Sequence, residues 1–214
     1  MPWDGVIPEA EQAEYERGGW GGTVGFGERP ALLVVDMYTA FVDPAYPFAA
    51  KDAPETATRI AGLLAEFRRR ELPVFFSTAR REPTPASRGR WKVTGTAAPI
   101  MQNADAYDIV PELAPRDDEY VFVKTYPSMF AGTTLLSQLI YHRVDTVVVT
   151  GTVTSGCVRG TCLDAFSQNY IVNVPLECVC DRGAVSHAVA LFEIQMKYGD
   201  VVPLQTVVER LEGR

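Results

Sequence analysis

Residues 146–158 read TVVVTGTVTSGCV, a β-branched run that passes through a turn of small residues to a cysteine. The run at 146–149 predicts a buried strand, because unbroken β-branched sequence is typical of strands covered on both faces. From Cys157 onward, apolar residues recur at helical spacing, which predicts a helix. We therefore expect Cys157 at a strand-to-helix junction, where unpaired backbone N–H groups and the helix dipole favour a thiolate.

The same alternation of strand and helix continues on both sides of this stretch. Strands are predicted at 31–35, 73–77, 120–123 and 170–174, and helices at 54–70, 133–142 and 184–198, with a short C-terminal element at 206–211. The alternation predicts an α/β protein with one doubly wound, mainly parallel sheet and helices on both faces, a three-layer Rossmann-like architecture. In such sheets, sites form at the carboxyl ends of the strands.

The chain divides into an N-terminal arm and one domain. Residues 1–29 are acidic and then glycine-rich, so we expect either a partly disordered tail or an arm that docks on a neighbouring subunit. Residues 30–214 are the predicted domain, within the size that one core can support. A loop at about 80–104, rich in proline and glycine, is longer than usual connections, and long loops are often functional.

Composition and charge restrict the partners and the compartment. The formal net charge of −7 argues against binding to nucleic acid or to an anionic membrane surface. The apolar runs are far shorter than the ~20 residues of a membrane span, and the start lacks the pattern of a secretory signal. Four cysteines without CxxC spacing and two histidines favour a reduced, cytoplasmic protein without a recognisable zinc site.

Three reactive side chains follow predicted strands at the same edge of the sheet. Asp36 ends the first strand, Lys124 ends the third, and Cys157 follows the fourth. Each alone has an ordinary explanation: a turn cap, a solvated lysine or a small packing group. Together, a carboxylate that accepts the thiol proton and an ammonium that stabilises the thiolate suffice for acyl transfer without histidine. His142 and His187 are predicted to be a helix cap and a surface or packing residue.

The chain resembles the isochorismatase-like cysteine hydrolases, most closely their N-carbamoylsarcosine amidase branch, over about residues 29–211. The resemblance rests on several segments taken together. They are RPALLVVD at 29–36, Phe41, PF at 47–48, PVFF at 73–76, Lys124, Ser128, Phe130, GT at 132–133, GTVTSGCVR at 151–159, PLE at 175–177 and DR at 181–182. It implies an Asp36, Lys124 and Cys157 triad and a cis peptide between Thr152 and Val153.

The resemblance also implies how a substrate would be held. The backbone N–H groups of Val153 and Cys157 would form an oxyanion hole. Arg182 would bind a substrate carboxylate through two hydrogen bonds, with a salt bridge to Glu177 or Asp181 as the alternative. Further substrate contacts would come from Thr152 and from two aromatic residues that could equally be simple packing, Phe41 and Trp91.

The expected activity is hydrolysis of a linear amide or ureido bond of a small carboxylic acid, without cofactor or metal. Nicotinamidases bind a metal through histidines between the first two strands, and residues 36–73 contain none. An activity of N-carbamoylsarcosine amidase type is expected first. A maleamate-type acid amidase is the alternative, and it gains support from Val153, where the ureido branch can carry threonine. A catalytically silent binding domain and a metal-dependent hydrolase remain alternatives. A homo-oligomer, tetramer or dimer, is expected from relatives.

Overall fold

The computed structural model describes residues 1–79, 90–92 and 104–213. Within them, seven strands form one sheet in which every pairing is parallel. The strands are β1 (Pro30–Val35), β2 (Val74–Ala79), β3 (Tyr120–Lys124), β4 (Thr146–Thr152), β5 (Ile171–Pro175), β6 (Val179–Cys180) and β7 (Asp200–Val202). Their order is β3-β2-β1-β4-β5-β7, and β6 pairs with β4.

Helices cover both faces of this sheet. They are α1 (Glu9–Arg17), α2 (Thr39–Val42), α3 (Ala53–Arg69), α4 (Leu135–Tyr141), α5 (Arg159–Ser167), α6 (Ala184–Lys197) and α7 (Leu204–Glu212). Side chains of β1 alternate between two apolar cores, with Leu33 in the core under α4, α5 and α6 and Leu32 in the core under α3 and α7. This confirms the predicted doubly wound α/β sheet.

The main differences from the sequence prediction concern short elements. The helices α1 and α2 and the strands β6 and β7 were not predicted, because elements of two to nine residues carry little periodicity. The C-terminal element predicted at 206–211 is α7, which packs against α3. Most of the predicted loop at 80–104 lies outside the described residues. In the described ranges, no helix is both long enough and apolar enough to cross a membrane.

The N-terminal arm docks on its own chain. Trp3 is only 4% exposed, and both Trp3 and Tyr15 meet Phe192 of α6 edge-on, at ring-centroid distances of 5.8 Å and 5.1 Å. Farther along the arm, the Gly25 N–H donates to a carboxylate oxygen of Asp200 at 2.8 Å. The arm therefore has contacts within its own chain that its composition did not predict, while a contact with a second copy stays a prediction.

Candidate active site

Asp36, Lys124 and Cys157 meet at the carboxyl edge of the sheet, where the strand order reverses between β1 and β4. Lys124 Nζ donates to Asp36 Oδ2 at 2.6 Å and lies 3.4 Å from Cys157 Sγ. It also donates to the Tyr126 carbonyl at 3.1 Å. All three triad residues are buried. A single ammonium thus bridges the carboxylate and the sulfur, and the three groups together can support nucleophilic attack by the sulfur with a carboxylate base.

Gly151 allows the end of β4 to approach β1 closely. Its φ is +107°, and a Cβ built on it would lie 2.0 Å from the Val35 carbonyl oxygen. Only glycine fits this combination of backbone angle and contact. Val35 and Gly151 are also register partners in the β1–β4 pair. The close approach brings the turn that carries Cys157 beside Asp36, the residue that follows β1.

The cysteine lies in a π-helical turn, Thr154–Val158, between β4 and α5. The strand-to-helix junction is therefore as predicted, although the α-helix itself begins two residues later. The peptide between Thr152 and Val153 is cis, as the resemblance implies. The Val153 carbonyl then accepts the N–H groups of Gly156 and Val158 at 3.0 Å and 3.2 Å, which closes the turn. The oxyanion-hole assignment of Val153 and Cys157 stays a prediction.

The charges of the site favour a thiol rather than a thiolate on Cys157. Burial raises the pKa of Cys157, and the nearby Asp36 carboxylate raises it further, while Lys124 lowers it without reversing the shift. Burial alone would lower the pKa of Lys124, but Asp36 and Cys157 outweigh it and the pKa is raised. This direction is opposite to the one expected from the helix start alone, because burial and Asp36 act against a thiolate. The sulfur needs a base to remove its proton, and Asp36 is in place.

Ser77 is a site residue that sequence reasoning missed. Its hydroxyl accepts the Asp36 N–H at 3.1 Å and donates to Asp36 Oδ1 at 2.7 Å. Ser77 is fully buried within β2. The sequence contained a signal for this residue, because Ser77 is a polar side chain at the carboxyl end of the apolar run at 73–77. The run was interpreted only as a strand.

A second group of missed contacts braces the turn before Cys157. Asp181 Oδ2 accepts the Ser155 N–H at 2.7 Å, and Thr154 Oγ1 donates to the Cys180 carbonyl at 3.1 Å. His187 Nδ1 lies 2.9 Å from the same Thr154 oxygen. His187, predicted as a surface or packing residue, therefore packs against the turn that carries Cys157.

Arg182 lies over the ring of Phe41, and it forms no salt bridge with another described residue. Its Nη1 donates to the Phe48 carbonyl at 2.8 Å, and its guanidinium carbon is 5.6 Å from the centroid of the Phe41 ring. The acids named as alternative partners bind elsewhere: Asp181 accepts backbone N–H groups, and Glu177 Oε2 accepts the Leu204 N–H. Arg182 is exposed, so its remaining N–H groups can reach a ligand.

The aromatic residues predicted near the site occupy different places. Phe41 stacks on Tyr38 with ring centroids 4.5 Å apart. Burial raises the pKa of Tyr38, and the nearby Asp36 carboxylate raises it further. Trp91 is 48% exposed and donates from Nε1 to the carbonyl of Thr125, the residue after Lys124, at 2.7 Å. It therefore contacts the backbone next to Lys124.

Thr152 is fully buried, and its hydroxyl oxygen has no hydrogen-bond partner among the described residues. An unpartnered buried hydroxyl is destabilising unless a ligand or water satisfies it. Among residues 1–79, 90–92 and 104–213, no group of three or more histidine, cysteine or acidic side chains is placed to hold a metal ion. The prediction of metal-free catalysis continues to rest on the sequence.

Known proteins resemble this chain over most of its length. A family model described as the isochorismatase domain matches residues 30–206. The maleamate amidohydrolase of Pseudomonas putida is 36% identical over 200 residues, 91% of this chain and 92% of that protein. The N-carbamoylsarcosine amidase of an Arthrobacter species is 32% identical over 214 residues, 96% and 80% of the two chains. The solved N-carbamoylsarcosine amidase of Thermoplasma acidophilum superposes with a TM-score of 0.70 at 28% identity, covering 83% and 97%.

Proposed function

This chain belongs to the isochorismatase family, and from that membership we propose that it hydrolyses a linear amide bond of a small carboxylic acid through a thioester on Cys157. Its amide-hydrolysing relatives support the reaction class. The observation that carries the proposal is the Lys124 ammonium, which contacts both the Asp36 carboxylate and the Cys157 sulfur inside a buried site.

The proposed reaction has two halves. Asp36 takes the proton of Cys157, and the thiolate attacks the amide carbonyl, whose oxyanion is held by the N–H groups of Val153 and Cys157. Ammonia leaves with the proton from Asp36, which gives the thioester. Asp36 then takes a proton from water, hydroxide cleaves the thioester, and the proton returns to the sulfur. Lys124 stabilises the negative charge in both halves.

The raised pKa of Cys157 supports this order of proton transfer. A raised pKa disfavours a free thiolate, so we propose that Asp36 removes the thiol proton as the sulfur attacks the substrate. Asp36 is suited to this task because one of its oxygens lies 2.6 Å from the Lys124 ammonium, and that ammonium also contacts the sulfur.

Arg182 supports an acid as the substrate. A guanidinium presents parallel N–H donors that match a carboxylate, and Phe41 and the Phe48 carbonyl hold this one in place. We propose an acid amide of the maleamate type ahead of an N-carbamoyl amino acid, because Val153 departs from the threonine that the ureido branch can carry. The 36% identity to a maleamate amidohydrolase agrees with that order.

The test is an ammonia-release assay across small acid amides and ureido acids with the wild-type protein and Cys157→Ala. We expect the variant to lose activity by several orders of magnitude, because it lacks the nucleophile. Cys178→Ala, at a second buried thiol, is the matched control and should keep its activity. Release of ammonia by Cys157→Ala at the wild-type rate would rule out the mechanism, and binding of acids without any turnover would instead indicate a silent binding domain.

Arg182→Ala tests the carboxylate contact. We expect KM for an acid amide to rise roughly 10- to 100-fold, the worth of a charge-assisted hydrogen-bonded pair, with KM for the matching neutral amide unchanged. Arg59→Ala, which breaks an exposed pair with Glu55 on α3, is the control and should change neither value. An equal rise for acid and neutral substrates would contradict a carboxylate contact at Arg182.

Thr152→Val tests whether the unpartnered hydroxyl serves the substrate. The replacement keeps the shape and removes a buried oxygen without a partner, so thermal stability should stay equal or rise. If that oxygen hydrogen-bonds to the substrate, KM should rise about 5- to 10-fold, the worth of ~1 kcal/mol. Melting curves and steady-state kinetics on the same preparation decide the point, and an unchanged KM would remove Thr152 from the substrate contacts.

A further inference from the structure

We propose that Ser77 is a positioning residue, which holds the Asp36 carboxylate in the orientation that takes the proton of Cys157. The inference rests on the proposed function, in which Asp36 is the base. Ser77 makes two hydrogen bonds to the same residue: its oxygen accepts the Asp36 N–H at 3.1 Å, and its proton goes to Asp36 Oδ1 at 2.7 Å. One hydroxyl therefore ties the backbone of Asp36 to its own side chain.

Asp36 needs this support because its backbone is unusual. Its φ is +50°, in the left-handed region that non-glycine residues rarely adopt. The bond from the Asp36 N–H to Ser77 fixes the backbone just after β1, at the point where the chain leaves the sheet. The backbone angles of Asp36 set the direction of its side chain, so the hydrogen bond from the Asp36 N–H to Ser77 also helps to place the carboxylate.

The two carboxylate oxygens have different partners. Lys124 donates to Oδ2 and Ser77 donates to Oδ1, so a hydrogen bond at each oxygen fixes the plane of the carboxylate. Lys124 alone would leave the group able to rotate about a single contact. Because Lys124 also contacts the sulfur, such a rotation would leave the ammonium near Cys157 while the base turned away.

Burial makes the Ser77 contact hard to replace. Ser77 is fully buried and sits between β1 and β3, with Phe122 of β3 as its register partner. Water cannot easily substitute for a hydroxyl at such a position. The neighbouring hydroxyl of Thr78 is engaged elsewhere, since it donates to the Tyr107 carbonyl at 2.6 Å.

The kinetic test compares Ser77→Ala with Ser77→Thr and Thr78→Val. We expect Ser77→Ala to lower kcat about 10- to 100-fold, the usual cost of a misplaced reacting group, with KM for the acid amide unchanged because the Arg182 contact is intact. Ser77→Thr keeps a hydroxyl and should recover most of kcat, and Thr78→Val removes a buried hydroxyl that does not contact the triad. A KM rise at unchanged kcat, or an equal loss in Thr78→Val, would overturn the proposal.

Crystal structures of the wild-type protein and Ser77→Ala give a second, activity-independent readout. We expect the Asp36 carboxylate of the variant to rotate away from Cys157. An unmoved carboxylate would overturn the role of Ser77, whatever the kinetics. If the wild-type protein hydrolyses none of the amides, the proposed function fails, while this comparison still decides whether Ser77 positions Asp36.

Discussion

Asp36 has both of its carboxylate oxygens engaged in hydrogen bonds, one to Lys124 and one to Ser77. Its charge raises the pKa of both ionisable neighbours: for Lys124 this favours the charged ammonium, and for Cys157 it favours the neutral thiol. Asp36 therefore has two effects on the sulfur: its charge disfavours a free thiolate, and in the proposed reaction it removes the thiol proton.

Asp36→Asn is expected to speed alkylation of Cys157 while it abolishes amide hydrolysis. Removing the carboxylate charge removes one cause of the raised thiol pKa, so more thiolate is present at a given pH, about 10-fold more for each unit by which the pKa falls. Lys124→Met should act in the opposite direction, because Lys124 lowers the pKa of Cys157. Iodoacetamide labelling between pH 7 and 9, followed by peptide mapping, measures both.

The Cys180 peptide in the same samples is the internal control, since it should label alike in all three proteins. Equal labelling rates of Cys157 in the wild type and Asp36→Asn would show that the carboxylate does not act on the sulfur. Faster labelling together with retained hydrolysis would show that Asp36 is not the base.

At the scale of elements, an ion pair fastens the start of β3 to α3. Arg68 donates to both carboxylate oxygens of Glu119, at 2.7 Å and 2.6 Å, and to the Ala114 carbonyl. Burial raises the pKa of Glu119, but the hydrogen bonds from Arg68 and from the Arg116 N–H outweigh it, and the pKa is lowered. Because β3 carries Lys124 at its other end, this pair helps to hold the edge strand of the site.

Glu119→Gln is expected to lower the free energy of unfolding at pH 7 by about 2 kcal/mol, the worth of hydrogen bonds to a charged group. A carboxyl whose folded pKa lies below its unfolded value stabilises the fold above the unfolded pKa and loses that contribution as the pH falls through the folded pKa. The difference between wild type and variant should therefore shrink below about pH 4. Urea unfolding at pH 7 and pH 3 measures it.

Glu55→Gln is the matched control, because Glu55 forms an exposed pair with Arg59 one helical turn away. Its effect should stay within about 0.5 kcal/mol at both pH values. A Glu119→Gln difference of the same size at pH 3 and pH 7 would contradict an origin in the carboxylate charge.

At the scale of the whole molecule, the N-terminal arm is part of the folded domain. Trp3 and Ile7 join the core that also contains side chains of β1, β4 and α6. Hydrogen bonds from the glycine-rich part of the arm to Asp200 continue the contact along β7. Removal of the arm would therefore uncover apolar surface of this same chain, whether or not a second copy also contacts it.

Trp3→Ala is expected to lower the free energy of unfolding by about 3 kcal/mol, since it empties a buried aromatic site against Phe192. Trp20→Ala, at a tryptophan of the same arm that is 57% exposed, should change it by less than about 0.5 kcal/mol. Urea unfolding of the two variants provides the comparison. Equal effects would indicate that the arm does not pack as a structural part of the domain. The mass of each variant in solution tests the expected homo-oligomer.

The sequence by itself determined the alternating order of strands and helices and the three reactive residues that end or follow strands. Both are local properties, because periodicity is read within a few residues and parallel strands bring their carboxyl ends to one edge. For the same reason, Asp36, Lys124 and Cys157 could be predicted to lie together before any distance was known.

Only the tertiary structure decided the partners of those residues. Ser77 reaches Asp36 across 41 positions of sequence, and Arg182 reaches the Phe48 carbonyl across 134. No local pattern encodes such pairs. The pKa of Cys157 likewise depends on burial and on Asp36, which raise it, and on Lys124, which lowers it, and all three follow from the tertiary structure. The docking of the arm could not be predicted for the same reason, because its few apolar residues pack against α6, which is distant in the sequence.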